Sequence, residues 1–514
     1  MTKQNFLRGT IILIIAGMIT RFLGFINRIV VARLMGEEGI GLYNMALPTL
    51  FLMYTISQIG LPIAIAKRVA EADAKKDTKK IKQILIISLS ITVSLSLLSS
   101  VLMFLIIPYI ANYLLTDSRV LYPMMAIIPI IPISAVGSVI RGYFQGRQNM
   151  KPQSYAQVIE QIVRIGFIMI LVSWLAPYGI EVAAAGAMVA VIIGEAVSLL
   201  FMLRMFQIKK RIKLRKNVWN YLISGKETLH QLFSIAIPST ASRLVNSISN
   251  FLEPILVAQS LALAGFQASV ATKQYGALTG YALPLLFLPT FITHSLAVAL
   301  VPNISEAEAN QHKKLIHYRI HQAIRLSFAS GAIATVLLTL FADSILQYMY
   351  GTSSASLFLK IMAPCFLFMY IQFPLNATLQ ALDLAKQAMW NNIGATMIKF
   401  TILISLATNP QVGIYGAAIA MCVGVMIGTV FHLITLYRTI HFYIPLKMIL
   451  KMVLLIALTF WLGILLIEIF SFQVSDIVSF FLLLVLLFVG YIIFLFSLQF
   501  ISKDELQQLR KNRS

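Results

Sequence analysis

Fourteen long hydrophobic runs constrain this chain more than any other feature of its sequence. Each run contains about 20 or more mostly apolar residues, which is what a helix rising ~1.5 Å per residue needs to cross a hydrocarbon core of ~30 Å. The runs cover residues 10–34, 41–66, 81–111, 120–143, 153–176, 182–206, 229–261, 281–303, 318–342, 356–382, 388–408, 413–438, 446–470 and 477–501. The sequence therefore predicts an all-α integral membrane protein with 14 transmembrane helices.

The composition supports the same class of protein. Of the 514 residues, 59% are hydrophobic and 12% are charged, and the mean hydropathy is +0.84. A water-soluble domain of this length does not normally carry that balance. The first run has no small-residue cleavage site and is too long for the core of a signal peptide, so we expect it to remain as a helix.

The net charge of +22 follows the predicted membrane topology. With the N-terminus inside, most of the 41 Lys and Arg residues fall in inner segments. The outer segments hold Arg33, Arg119, Lys273 and Lys360. This asymmetry predicts a multi-pass protein of the cytoplasmic membrane with both termini in the cytoplasm. The basic loops then lie near anionic lipids, so we expect membrane lipids as partners and no nucleic acid.

Cysteine and histidine spacing predicts neither a metal site nor a cofactor. Cys365 and Cys422 both fall within predicted spans, which argues against a disulfide framework and a thiolate cluster. His317 and His321 are four residues apart, but the sequence offers no third ligand near them. We interpret them as interfacial polar residues.

The chain repeats itself with an offset near 235 residues. The segment ALPTLFL in the second run resembles ALPLLFL in the eighth, and GIEVAAAGAMVAVIIG aligns with GIYGAAIAMCVGVMIG farther along. Between these matches, Arg164 aligns with Lys399. An even number of helices separates the copies, which predicts two parallel six-helix lobes related by a pseudo-twofold axis along the membrane normal.

The repeat predicts four segments. They are an N-lobe of helices 1–6 at 1–206, a basic cytoplasmic linker at 207–228, a C-lobe of helices 7–12 at 229–440, and helices 13–14 with a cytoplasmic tail at 441–514. Prolines support the division, because they bend helices at matching places in the two lobes. They are Pro48, Pro62, Pro129 and Pro132 in the first lobe and Pro284, Pro289, Pro364 and Pro374 in the second.

Five cations lie inside the predicted spans, where an isolated charge is costly. They are Arg21, Arg28, Arg164, Arg243 and Lys399. Glu160 is one helical turn from Arg164 and is expected to pair with it. Either every cation has an acidic partner in an ion-pair core, or the surplus cations line a cavity. Acids are scarce in these spans, so we predict a central cationic cavity that binds an anion such as a pyrophosphate.

Helical spacing places further polar groups beside these cations. Arg21 and Arg28 are seven residues apart on one helix face, and Gly24 between them leaves room for a ligand. In helix 7, a polar stripe steps by four, three, four and three residues through Ser239, Arg243, Asn246, Asn250 and Glu253. We predict Asn246 and Asn250 as supporting polar groups.

These residues resemble a known family. The opening segment, with its RFLGF, ARLMG and GLY motifs, is similar to the polysaccharide transporter and lipid II flippase branch of the multidrug/oligosaccharidyl-lipid/polysaccharide exporter superfamily, and the similarity covers essentially the whole chain. The resemblance implies a flippase that exports undecaprenyl-pyrophosphate-linked peptidoglycan precursor, lipid II, for spore cortex synthesis. It implies alternating access and a lipid-linked oligosaccharide as the substrate.

This chain also departs from the family's pattern of arginines at several positions. The family's first arginine in helix 1 maps onto Arg21, but the place of the next is taken by Asn27, which we predict as a supporting polar group beside Arg28. The family's cavity arginines in helices 2 and 8 are missing here. Their role would then fall to Arg164, Arg243 and Lys399.

Other functions stay open. The substrate could be another lipid-linked polysaccharide unit, or the chain could be a cation-coupled drug antiporter of the same superfamily, although the basic face of helix 1 has the wrong sign for that. A scaffold for spore-envelope assembly is a further alternative. We do not expect an enzyme, because the outer loops are short.

Energy coupling and partners complete the expectations. The membrane potential, Na⁺ or H⁺ could drive transport, and Glu195, Glu253 and His294 are the candidates for ion coupling. We expect a functional monomer that works with cell-wall synthesis proteins.

Overall fold

The computed structural model describes residues 3–209, 225–470 and 477–500. Within these ranges all regular structure is helical and no strand occurs. The predicted linker at 207–228 lies mostly outside the described residues, and so does the predicted tail after residue 500.

Contacts between helices divide the chain into two compact units, Met1–Gly280 and Tyr281–Ser514. The first unit contains α1 (Lys3–Gln58), α2 (Leu61–Ala74), α3 (Thr78–Tyr109), α4 (Leu121–Ala126), α5 (Ile130–Gly146), α6 (Lys151–Leu175), α7 (Ile180–Lys209), α8 (Lys226–Leu263) and α9 (Ala268–Gly276). Short 3-10 turns at Ser118–Val120 and Ala176–Tyr178 and a π-helical turn at Ile110–Leu114 connect some of them.

The second unit continues the helical pattern. It contains α10 (Leu283–Leu286), α11 (Thr290–Ala309), α12 (Lys313–Leu340), α13 (Ala342–Tyr350), α14 (Ser356–Ala381), α15 (Ala385–Ala407), α16 (Ile414–Ile440), α17 (Leu446–Phe470) and α18 (Ile477–Ser497). A π-helical turn at Ala277–Ala282 precedes α10. The predicted lobe limits at 206 and 229 stay a prediction, as does the pseudo-twofold axis.

Among the described residues, nine helices are long and apolar enough to cross a membrane, and eleven if two bent pairs each form one span. The prediction of an all-helical multi-pass membrane protein is confirmed, whereas the count of 14 is not. Predicted helices 1 and 2 share one continuous run, and helices 4 and 8 are each broken before a proline. Helices 7 and 11 carry polar residues that lower their hydropathy.

The run through α1 shows why the predicted boundary between helices 1 and 2 differs. Only Gly36 leaves helical geometry, with φ 66° and ψ −171°, a conformation that glycine tolerates. The regular break comes later, at Ile59 and Gly60, just before Pro62 at the start of α2.

Prolines mark two of the predicted bends. Pro129 precedes α5, and the axes of the Ser118–Ala126 segment and α5 differ by 40°. Pro289 precedes α11 in the same way. Because proline lacks the amide hydrogen that would continue the helix, the chain breaks at these points.

Each unit has its own apolar core. In the first unit, Ile65 of α2, Ile84 of α3, Tyr143 of α5 and Phe206 of α7 are buried together. In the second, side chains of α11, α12, α14, α16 and α18 pack around residues such as Ile324 and Leu375. These cores fix the helix faces that carry the polar groups described next.

Candidate functional site

Four charged side chains meet inside the first unit, and we call them the charge quartet: Arg141, Glu160, Arg164 and Glu195. Arg141 Nη1 lies 3.2 Å from Glu195 Oε1, which joins α5 to α7. Arg164 forms an ion pair with Glu160 one turn away on α6, as the spacing predicted. Glu160 is also within electrostatic range of Glu195 and Arg141. The quartet therefore consists of two ion pairs on three neighbouring helices.

All four side chains are largely withdrawn from the surface. Their exposed fractions are 22% for Arg141, 10% for Glu195, 18% for Arg164 and 13% for Glu160. Arg141 Nη2 also donates to the carbonyl oxygen of Ser134 at 3.4 Å. Mutual pairing and hydrogen bonds thus offset the cost of burying charge.

Two glycines make room for the quartet. A Cβ on Gly194 would lie 3.0 Å from the carbonyl oxygen of Glu160 and 3.2 Å from Arg164 Cβ, so α7 packs directly on the α6 backbone. A Cβ on Gly137 would lie 3.5 Å from Glu195 Oε1 and 3.6 Å from Arg141 Nη1. Larger residues at these positions would displace the charged groups.

Tyrosines connect the quartet to α1. The Tyr54 hydroxyl lies near Ser134 and within electrostatic range of Glu195, Arg164 and Glu160. The buried Tyr43 hydroxyl interacts with both Arg164 and Arg28. Arg28, a predicted site residue, and Arg164 are thus both within electrostatic range of Tyr43.

The other predicted groups of helix 1 lie on the first part of α1. Arg21 is partly buried and Arg28 is exposed. A Cβ on Gly24 would have no heavy atom within 4 Å among the described residues, so open space adjoins the helix there. Asn27 is 8% exposed, and its Oδ1 has no hydrogen-bond partner within the described part of the chain.

The predicted polar stripe of helix 7 lies on α8. Arg243, Asn246 and Asn250 are exposed, and Glu253 is partly buried, close enough to interact electrostatically with Tyr275. The Ser239 side chain lies outside the described residues. Ser247 follows the stripe residue Asn246. Its Oγ lies 2.7 Å from Thr55 Oγ1 and joins α8 to α1.

The second unit repeats the helix pair α6–α7 as α15–α16, but it lacks counterparts of the Glu160 and Glu195 carboxylates. A Cβ on Gly428, the counterpart of Gly194, would lie 3.5 Å from the Cβ of Ala395, which stands where the first copy has Glu160. Glu195 corresponds to Thr429, which donates to the carbonyl oxygen of Phe368. Lys399, the counterpart of Arg164, is partly buried, with Nζ 4.9 Å from the centre of the Phe400 ring.

The three candidates for ion coupling have different neighbours. Glu195 belongs to the quartet, Glu253 lies near Tyr275, and the His294 ring stands 6.0 Å from that of Phe373. No cluster of three or more His, Cys, Asp and Glu that could hold a metal occurs in the described ranges.

Sequence reasoning missed Arg141, which was assigned to an inner segment at the end of predicted helix 4. The signal that could have found it is a polar stripe of the kind recognised in helix 7. Ser134, Ser138 and Arg141 follow one another by four and three residues and so share one helix face.

A second ion-pair cluster joins the loop after α3 to α1 and α9. Arg119 Nη2 lies 2.9 Å from Asp117 Oδ2, and Arg119 Nη1 lies 2.6 Å from Glu38 Oε1. Thr272 of α9 donates to Asp117 Oδ2 at 2.7 Å. Burial raises the pKa of Asp117, but hydrogen bonds from Arg119 and Thr272 outweigh this and leave the pKa below its ordinary value.

Family profiles and known proteins resemble the chain over most of its length. A profile described as polysaccharide biosynthesis protein matches residues 6–308, and one described as MatE matches residues 254–404. Stage V sporulation protein B of Bacillus subtilis (strain 168) is 49% identical over 447 residues, which are 87% of this chain and 86% of the relative. Lipid II flippase MurJ of the same organism is 25% identical over 85% of this chain and 83% of the relative.

Solved structures share the fold. A lipid II flippase MurJ in an inward closed conformation matches with a TM-score of 0.70 over 94% of this chain and 98% of that chain. The sequence identity is 16%, so this likeness concerns the fold alone.

Proposed function

Because this chain belongs to the polysaccharide biosynthesis protein family, we propose that it is a flippase that exports lipid II across the cytoplasmic membrane for spore cortex synthesis. The family match confirms the resemblance that the opening segment predicted. The relative with a stated activity is a lipid II flippase and not an enzyme, in agreement with the prediction. The substrate would be the undecaprenyl-pyrophosphate-linked peptidoglycan precursor.

Exposed cations on membrane helices carry the proposal. Arg28 on α1 and Arg243 on α8 are both exposed, and Asn246 and Asn250 accompany Arg243. A guanidinium in contact with lipid tails costs roughly 2.5–3.5 kcal/mol or more, so such groups normally face water or a polar ligand. Arginine binds phosphate through two parallel hydrogen bonds, which suits a pyrophosphate head group.

The finer arrangement follows from the repeat in the sequence. We propose 14 spans in two six-helix lobes, with both termini in the cytoplasm and Arg21, Arg28, Arg164, Arg243 and Lys399 around a common cavity. Alternating access would move the head group through this cavity while its tail stays in lipid. A single chain would suffice, and cell-wall synthesis proteins would use its product.

The MatE match favours one alternative, a cation-coupled drug antiporter. Such a transporter would need acidic groups to bind a cationic drug. The exposed ionised groups at Arg28 and Arg243 are positive, so they favour an anionic substrate. Export of another lipid-linked polysaccharide unit would use the same chemistry.

Precursor accumulation tests the proposal. In a strain lacking this protein, lipid-linked precursor should accumulate in the inner leaflet during sporulation, and the wild-type gene should reverse this. An envelope scaffold would leave precursor distribution unchanged, and that result would overturn the proposal. Accumulation of a different lipid-linked glycan would identify the alternative polysaccharide substrate.

A further inference from the structure

Helix α8 is attached to the first unit along its whole length, although the repeat assigns it to the later copy. At its N-terminal end, Lys80 Nζ of α3 donates to Thr228 Oγ1 at 2.9 Å, and Thr228 donates to Gln83 Oε1 at 2.9 Å. Leu232 and Ala236, one and two turns farther along, are buried in the apolar core with side chains of α2, α3, α5 and α7. This end of α8 is therefore part of the core of the first unit.

The middle of α8 is bonded to α1. Thr55 Oγ1 donates its hydrogen to the carbonyl oxygen of Phe51 at 3.0 Å, so it accepts the hydrogen of Ser247 Oγ, 2.7 Å away. Thr55 is 6% exposed, so water competes little for this bond. Ser247 lies about one helical turn after Arg243. The bond therefore fixes the polar stripe of α8 against α1.

The C-terminal end of α8 is bonded to the π-helical turn that follows α3. Gln259 Nε2 donates to the carbonyl oxygens of Tyr113 and Leu114, at 2.6 and 3.0 Å. At ~1.5 Å per residue, about 46 Å of helix separates Thr228 from Gln259. The three attachments thus extend over more than the ~30 Å hydrocarbon core of a membrane.

Attachment at both ends is what a helix within a rigid body has. When two bodies rock around a central site, contacts between them separate at one membrane face while those at the other face close. A helix of the opposite body would therefore lose one set of contacts in each half of the cycle. For α8, such a movement would break buried hydrogen bonds and pull Leu232 and Ala236 out of the apolar core that they share with the first unit.

We propose that α8 moves with the first unit throughout transport, so that the boundary of movement lies after α8 and not at the linker before it. Arg243 then keeps a constant spacing from Arg28 of α1. The two cations form one rigid anion-binding surface, to which a head group stays bound while its access changes from one membrane face to the other. The role in carrying a head group rests on the proposed function, whereas the rigid attachment of α8 does not.

Electron paramagnetic resonance tests the rigid attachment without a lipid-linked substrate. Spin labels are placed in the full chain lacking its two native cysteines, at Lys226→Cys on α8 and Lys151→Cys on α6, both at exposed positions. In lipid vesicles we expect one narrow distance between the labels, with the same mean before and after inorganic pyrophosphate is added. A second distance, or a shift of the mean, would overturn the proposal.

A disulfide between α1 and α8 tests the same claim during transport. Two hydroxyl oxygens 2.7 Å apart lie close enough for cysteines at these positions to form a disulfide. In proteoliposomes containing lipid II, Thr55→Cys/Ser247→Cys should cross-link on oxidation and keep an unchanged transport rate. The single variant Ser247→Cys is the control for the oxidant. A loss of transport that reduction of the disulfide reverses, or failure to cross-link in the folded protein, would overturn the proposal.

The two experiments separate this proposal from the proposed function. If the wild type does not move lipid II, the flippase assignment fails, and the distance between the spin labels decides the attachment of α8. If the wild type moves lipid II and the cross-linked protein does not, the flippase assignment stands and the rigid attachment of α8 is wrong.

Discussion

Arg141 Nη1 of α5 lies 3.2 Å from Glu195 Oε1 of α7, and the two residues are 54 positions apart in the chain. Their exposed fractions of 22% and 10% show that water solvates the pair only in part. The pair therefore holds α5 and α7 together and fixes the position of the Glu195 carboxyl group.

Removing one partner of this pair should destabilise the protein strongly. We expect Glu195→Ala to lower the free energy of unfolding by about 3–5 kcal/mol, because it leaves Arg141 buried without its counter-charge. The double variant Arg141→Ala/Glu195→Ala should lose less than the sum of the single losses. The exposed pair Arg68 and Glu71 is the control, and its removal should cost less than about 1 kcal/mol. Thermal unfolding in detergent measures these differences, and additive losses at Arg141 and Glu195 would refute the coupling.

Gly194 and its counterpart in the repeat, Gly428, should differ in their tolerance of a methyl group. Gly194→Ala should cost about 1–3 kcal/mol, since the new Cβ meets the Glu160 carbonyl oxygen at 3.0 Å and backbone must move. Gly428→Ala should cost less than about 1 kcal/mol, because its nearest contact is the flexible end of Gln372. Unfolding temperatures of the two variants provide the comparison. Equal losses would show that the α6–α7 contact is not as tight as described.

Asp117 should make stability depend on pH. Its pKa is lowered in the folded protein, so its contribution is fully present above the ordinary value of 3.8 and is lost as pH falls through the lowered pKa. At neutral pH, Asp117→Asn should cost roughly 1–2 kcal/mol, because hydrogen bonds from Arg119 and Thr272 to a charged acceptor weaken. Well below pH 3.8 the variant and the wild type should unfold at similar temperatures. A difference that stays constant with pH would contradict this assignment.

Local spacing made much of the fold predictable. Apolar runs predict the helical membrane class, and a four-residue step on one helix face predicts the Glu160–Arg164 pair. The pair of Arg141 with Glu195 could not be found in this way, because hydropathy does not report which distant residues meet.

Hydropathy is also blind to the long-range contacts that join predicted helices 1 and 2 into one helical run. Residues 35–40 lie between the first two predicted helices, 10–34 and 41–66. In the folded chain Glu38 pairs with Arg119, and Glu37 lies 3.9 Å from Lys273 Nζ. These long-range partners stabilise charged residues within a helix.

Cations on α1 and α8 should be essential for function. Arg21→Ala and Arg243→Ala should each abolish the rescue of cortex formation in the deletion strain, since the anion loses a bidentate partner. The amounts of the two variant proteins in the membrane should match that of the wild type. Exposed Arg438 at the end of α16 is the control, and Arg438→Ala should restore heat-resistant spores. Normal spores from both Arg21→Ala and Arg243→Ala would remove the case for a cationic cavity.

Cysteine accessibility tests most directly whether the cations of both halves surround one aqueous anion site. After Cys365→Ser and Cys422→Ser remove the two native thiols, Gly24→Cys probes the surroundings of Arg21, and Thr396→Cys probes those of Lys399. Ile170→Cys, at a 63% exposed apolar position on α6, is the lipid-facing control. We predict that a charged, membrane-impermeant thiol reagent modifies the two probes but not the control, and that inorganic pyrophosphate slows both reactions. Two unreactive probes, or protection of one and not the other, would contradict a shared cationic cavity.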